Sequence, residues 1–176
     1  MILLDMDGVL VDFVGAANAL HDRPDYIPDR YDYWTEWGIT EDDFWRPINE
    51  LGEAFWANLP LYDWAEDLIH YCLSLDNIFV ATKASTRVPS STAGKIKSIK
   101  RIFGASFDDF AVISDKSRLA ARGRILIDDH PTNCFHFQFA GGQAIVFPRP
   151  WNGLYWAADR CYDYTRHELT LRRAAA

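Results

Sequence analysis

Cysteine is scarce in this 176-residue chain, with Cys72, Cys134 and Cys161 far apart and odd in number. No Cys-x-x-Cys spacing occurs, so neither a zinc site nor a disulfide framework is indicated. Reduced, buried thiols in a cytoplasmic setting are expected. Long apolar runs are also missing, and none could span a bilayer. The first strand pattern begins at Ile2, so no signal peptide is expected. Positive charge is in deficit: 18 Lys and Arg against 25 Asp and Glu, a formal net charge of -7. That balance argues against stable binding of a nucleic acid polymer. An anionic substrate would need local help from a metal, Lys or Arg. Repeats and low-complexity segments are absent. Aromatic residues, by contrast, are abundant at 15%, with seven tryptophans. The length allows one substantial core and a small appended subdomain.

Short apolar runs alternate with helical patterns along the chain. Residues 2–5, 77–82, 110–114, 124–128 and 143–147 read as buried strands. Helices are predicted over 13–20, 62–73, 92–103 and 132–140, with a last one between Leu154 and Leu171. Gly104 stops one helix, and Gly141-Gly142 another. Thr40 followed by Glu41-Asp42-Asp43 reads as an N-cap with acids in the first turn. Arg172 to Ala176 is expected to fray. This alternation predicts an open parallel α/β sheet flanked by helices. Residues 1–14 and 75–176 would form that core. Residues 15–74, rich in proline and tryptophan, would form a small helical cap inserted after the first strand.

Ligands in such sheets sit beyond the carboxyl ends of the strands. Three strands end in reactive polar groups. After Ile2-Leu3-Leu4 come Asp5 and Asp7, which share one face of an extended chain while Met6 points back. Gly8 then lets the chain turn away. Two adjacent carboxylates repel unless a cation or a shared proton relieves them, and a hard divalent cation such as Mg2+ takes oxygen ligands. The second strand ends at Thr82, with Lys95 on the first turn of the following helix. The fourth ends at Asp128-Asp129. Each has a bland reading: solvated acids, a turn threonine, a surface lysine, a helix cap. Their joint order is much less ordinary than any one of them.

Asp5-Met6-Asp7-Gly8-Val9, Thr82, Lys95 and Asp128-Asp129 resemble the four motifs of the haloacid-dehalogenase-like (HAD) phosphohydrolases. Within that superfamily, the stretch from Asp5 to Phe13 resembles the 5'(3')-deoxyribonucleotidases. Ile125 to Pro131 is similar to a segment of that family, and Ile113-Ser-Asp-Lys116 to the stretch before it. The resemblance covers 1–14 and 76–150; the cap matches only in size and aromatic content.

The resemblance implies a Rossmann-like sheet and an aspartyl-phosphate on Asp5 as nucleophile. Asp7 would be the general acid and then the base. Thr82 and Lys95 would contact the phosphoryl group. Mg2+ would be held by Asp5, the Asp7 carbonyl, and Asp128 or Asp129. Two positions depart from the pattern. Lys83 stands where a hydroxyl residue is common, either as a second phosphate contact or solvated. His130 replaces the usual arginine. Lys97, two residues from Lys95, is the alternative third-motif lysine.

The tryptophans of the insert read first as the core of a small subdomain, with one or two facing a nucleobase. Phe13, directly after the first motif, is the foremost candidate. Trp34, Trp37, Trp45 and Trp56 follow, and Arg46 is a weaker one. The expectation is a Mg2+-dependent phosphomonoesterase for nucleoside monophosphates, compatible with a homodimer. A phosphatase for another small metabolite or a nucleic acid 3'-phosphate end is the rival enzyme. A catalytically silent binding module is the rival of another class.

Overall fold

The computed structural model describes residues 1–174. Five parallel strands form one sheet: β1 (Ile2–Leu4), β2 (Ile78–Thr82), β3 (Phe110–Val112), β4 (Ile125–Asp128) and β5 (Gln143–Val146). Their spatial order is β3-β2-β1-β4-β5, so β1 is central. Leu4 pairs with Val80 on one side and Ile127 on the other. This register places Asp5 level with Asp128, and Thr82 one step beyond. The first two strand-end groups therefore emerge on either side of one line across the sheet.

Alternation along β1 divides the core, as a period of two requires. Ile2 and Leu4 join a large cluster that runs through Val80 and Ile127 into Phe44 and Ile48 of the insert. Leu3 joins a smaller cluster on the opposite face with Ala81, Leu126, Cys134 and Phe137. The helices are α1 (Phe13–Ala19), α2 (Glu41–Leu51), α3 (Glu53–Ala57), α4 (Ala65–Leu75), α5 (Ser91–Phe103), α6 (Pro131–Phe139) and α7 (Cys161–Ala174). Thr40 caps α2 in a reciprocal capping box with Asp43. Asp12 caps α1 by accepting from Gly15 N–H at 2.8 Å.

Several boundaries differ from the sequence reading. The helix predicted from Tyr62 begins at Ala65, because Tyr62 N–H donates to Leu10 O at 3.0 Å and is held in an extended crossing. The last predicted helix is two: a 3-10 segment over Tyr155–Arg160, then α7. Arg172 and Arg173, expected to fray, are helical. Arg172 pairs with Glu168, and Arg173 reaches Asp76 at 3.1 Å. Ala175 and Ala176 of that predicted tail lie outside the described residues.

The insert is fastened to the core at backbone contact. Helix α3 lies against α5 at Gly94, where a Cβ would come within 2.5 Å of Glu53 O and 2.6 Å of Trp56 Cβ. Helix α4 lies beside α7, with Tyr71 OH 3.1 Å from Thr170 Oγ1.

Candidate active site

The end of β1 turns within a few residues. Asp5 N–H donates to Ile127 O at 2.9 Å, the last ladder bond of the strand. Gly8 has φ +77°, a conformation that favours glycine. Glycine is needed there for a second reason, because a Cβ would lie 2.5 Å from Asp129 Oδ2. Its absence lets the Asp129 carboxylate close on the first loop.

Asp5, Asp128 and Asp129 are all buried, and one oxygen from each lies within 4.8 Å of the others. Lys116 answers part of this charge. Its Nζ is 2.7 Å from Asp5 Oδ1 and donates to Asp128 Oδ2 at 2.5 Å. Burial pulls the Lys116 ammonium down, but the two carboxylates together outweigh it and the net displacement is upward. Burial raises Asp5 to about 7, with Lys116 opposing and Asp128 and Asp7 adding. Burial, then Asp128 and Asp5, push Asp129 well above the ordinary carboxylate range. Three desolvated carboxylates against one ammonium leave an excess of negative charge. An all-oxygen donor set with that excess fits a hard divalent cation.

Asp128 and Asp129 are not equivalent. Asp128 Oδ1 accepts from His130 N–H at 2.8 Å, Oδ2 from Lys116, and both from Asn133 Nδ2 at 3.1 and 3.0 Å. Asp129 Oδ2 accepts from Trp151 Nε1 at 2.7 Å, and its Oδ1 has no such donor. Asp128 is thus already occupied, and Asp129 has an oxygen to offer.

Asp7 has a different environment from Asp5. Its carboxylate turns away from the acid cluster, because Lys95 Nζ donates to its Oδ2 at 2.5 Å. The same ammonium donates to Thr82 Oγ1 at 2.9 Å and lies 4.9 Å from the Trp56 ring. Asp7 Oδ1 has no protein partner. The side chain of Asp7 is therefore not part of the acid cluster; the metal expectation at this position concerned its backbone carbonyl. Lys95 and Thr82 are fully buried. Lys97 points away and pairs with Glu53.

Two hollows of about 220 and 330 Å³ meet at Asp7, Phe13 and Lys83. Asp5, Lys116, Asp129 and His130 open onto the first, with Trp34 and Tyr31 in its wall. Trp45 and Trp56 wall the second. Phe13 lies between them, stacked on Trp56 at 5.4 Å and tilted against Trp45 at 5.8 Å. Trp34 stacks on Phe44 at 4.7 Å. Trp37 lines neither hollow and packs among Tyr26, Tyr33 and His21. Arg46 is exposed and pairs with Asp43. Lys83 is exposed at the junction and forms no ion pair among the described residues. Burial holds His130 below the ordinary imidazole range, and its ring lies 4.6 Å from Tyr31.

Lys116 was missed as a site residue. A signal for it exists: it follows β3 on the same sheet edge as the other strand-end groups. The sequence reading gave the third-motif role to Lys95 and noted Ile113-Ser-Asp-Lys116 only as part of the resemblance, with no role for its lysine.

No protein-family model matches the chain. No curated protein matches its sequence. Solved structures do resemble it. A hydrolase from Streptococcus pneumoniae TIGR4 is 13% identical with a TM-score of 0.52, over 84% of this chain and 92% of the other. The HAD-hydrolase YfnB from Bacillus subtilis, bound to magnesium, is 18% identical with a TM-score of 0.50, over 81% and 84%. The five-stranded parallel sheet flanked by helices is the fold of these hydrolase structures.

Proposed function

We propose that this chain is a Mg2+-dependent phosphomonoesterase that hydrolyses nucleoside monophosphates through an aspartyl-phosphate on Asp5. The observation that carries this reading is the unlike setting of two carboxylates two residues apart. Asp5 sits in the acid cluster beside Lys116, with both of its donors on Oδ1: Met6 N–H at 2.8 Å and Lys116 at 2.7 Å. That leaves Oδ2 for attack on phosphorus. Asp7 is held apart by Lys95, with Oδ1 unpartnered at the junction of the two hollows. Pairs of carboxylates in unlike environments are how one site assigns nucleophile and acid/base roles.

In the first step, Asp5 Oδ2 bonds to phosphorus as the ester P–O bond breaks, and Asp7 gives its proton to the departing alkoxide. In the second, Asp7 takes a proton from water as the water oxygen attacks phosphorus, which frees Asp5 and releases inorganic phosphate. Asp5 and Asp129, with Asp128 in support, would hold Mg2+, which would supply positive charge to offset that of the phosphate. Lys116 opens onto the first hollow and adds a fixed positive charge there. Lys95 and Thr82 position Asp7 from below. Phe13, Trp34, Trp45 and Trp56 offer flat faces to a base, and Lys83 adds an exposed positive charge where the two hollows meet.

The test is phosphate release from a panel of ribo- and deoxyribonucleoside 5'- and 3'-monophosphates and sugar phosphates, with Mg2+ and with chelator. Nucleotide hydrolysis that is lost in Asp5→Asn and with chelator is the expected result. Release from sugar phosphates alone would overturn the nucleotide assignment. No release from any ester, with Asp5→Asn unchanged, would overturn the whole reading.

A further inference from the structure

Trp151 and Asn152 take no part in the chemistry above, yet both donate to Asp129. Trp151 Nε1 donates to Asp129 Oδ2 at 2.7 Å. Asn152 Nδ2 donates to Asp129 O at 2.8 Å and to Phe147 O at 2.8 Å. Asn152 Oδ1 in turn accepts from Arg149 N–H at 3.3 Å and Leu154 N–H at 3.0 Å. One asparagine therefore ties the turn after β5 to the peptide of Asp129. Both residues are buried.

The indole is itself held in place. The Arg149 guanidinium lies 4.5 Å from the Trp151 ring, 4.2 Å from Tyr62 and 5.0 Å from Trp64. It donates to Tyr62 OH at 2.8 Å, and Tyr62 OH donates to Asp12 Oδ1 at 2.8 Å. Arg149 is buried but forms no ion pair among the described residues, and its Nε has no partner. A buried arginine that stacks on aromatic faces rather than pairing with an acid fixes ring planes. The chain of contacts runs from the cap of α1 to the carboxylate of Asp129.

We infer that Trp151 and Asn152, with Arg149 stacked behind the indole, clamp Asp129 in the orientation that binds the cation. This rests on the cation reading given above. Oδ2 is taken by the indole N–H, and the backbone carbonyl by Asn152 and by Tyr31 OH at 2.8 Å, so Oδ1 is the oxygen left to serve as ligand. Hydrogen-bond donors behind metal-binding carboxylates set metal affinity, and removing one typically weakens binding about 10- to 100-fold. Trp151 and Asn152 are positioning residues in this account, acting through Asp129.

Isothermal titration of Mg2+ into the phosphate-free full chain tests this. Trp151→Phe keeps an aromatic ring and removes the N–H donor; Asn152→Ala removes the tie from the turn after β5 to the Asp129 peptide, leaving Tyr31 OH as the donor to that carbonyl. Both should weaken Mg2+ binding, Trp151→Phe by about 10- to 100-fold. Trp156→Phe, at an exposed indole outside the site, should bind within twofold of the original protein. Trp151 fluorescence should respond to Mg2+ in the original protein, and that response should vanish in Trp151→Phe. Thermal unfolding in chelator confirms that each variant is folded, and if Trp151→Phe is not, Asn152→Ala carries the test. Unchanged affinity in the folded variants overturns the clamp while leaving the cation site intact. No Mg2+ binding by the original protein overturns the cation reading and the clamp together.

Discussion

Lys116 Nζ lies 2.7 Å from Asp5 Oδ1, the oxygen that also accepts from Met6 N–H at 2.8 Å. The same ammonium donates to Asp128 at 2.5 Å, and all three groups are buried. Lys116→Met keeps much of the side-chain volume and removes the charge. Two buried carboxylates would then lose their shared partner, which costs about 3–5 kcal/mol in comparable buried pairs. Urea unfolding in chelator should show a loss of that order. A loss below about 1 kcal/mol, the range of exposed pairs, would contradict the burial argument.

Asp7 is assigned proton transfer, so its importance should scale with how poor the leaving group is. Asp7→Asn should lower kcat on nucleoside monophosphates by about 10²- to 10⁴-fold. With p-nitrophenyl phosphate, whose leaving group needs no proton, the first-turnover burst of p-nitrophenol should suffer much less, while steady turnover, which needs Asp7 as the base, falls on both esters. An equal loss in the first turnover of both esters would show that Asp7 acts other than as a general acid.

Phe13 separates the two hollows and stacks on Trp56 at 5.4 Å. Phe13→Leu keeps an apolar side chain and removes the flat face. Base stacking on one aromatic is worth about 1–3 kcal/mol. KM for nucleotides should therefore rise by roughly 5- to 150-fold, with KM for p-nitrophenyl phosphate little changed. A parallel rise for both would make Phe13 a structural residue of the cap.

Much of this site was legible because strand-end chemistry is local. Ile2 to Leu4 announce a buried strand, and the pair Asp5 and Asp7 follows directly. Thr82 and Asp128 could be found by the same rule. Their meeting in space needs only the parallel register that sets Leu4 against Val80 and Ile127. Lys116 was given no role because β3 ends at Val112 and the lysine comes four residues later, at the start of a 3-10 turn rather than at the strand end. Trp151 and Asn152 gave no sequence signal, since their partner Asp129 is more than twenty residues away. The side-chain direction of Asp7 was equally out of reach, because it is set by Lys95 from another helix.

Gly94 records how tightly the insert is fastened. On an exposed helix, Gly→Ala stabilises by about 1 kcal/mol. Here a Cβ would meet Glu53 O at 2.5 Å and Trp56 Cβ at 2.6 Å. Neither is the end of a flexible side chain, so α3 must shift. Gly94→Ala should destabilise by about 1–3 kcal/mol, the usual cost of overpacking. It should also disturb Trp56 beneath Lys95, and with it activity. Greater stability in urea unfolding would show that α3 and α5 are not in backbone contact.

Asp76 joins the two ends of the described chain. It accepts from the Met1 ammonium at 2.8 Å and from Arg173 at 3.1 Å. The Met1 ammonium lowers its carboxyl from 3.8 to about 2, with the Asn77 N–H and Arg173 adding in the same direction. A lowered carboxylate favours the folded state above its unfolded value and loses that contribution as pH falls through the folded value. The window is therefore pH 4 down to 2. Because the side chain is partly in water, the contribution is about 1 kcal/mol rather than the full shift. Asp76→Asn should lower stability by that amount at neutral pH. The gap between variant and original protein should close as pH falls from 4 towards 2, measured by urea unfolding at each pH. A gap that stays constant across that range would mean the pairing with Met1 and Arg173 does not act through the charge of Asp76.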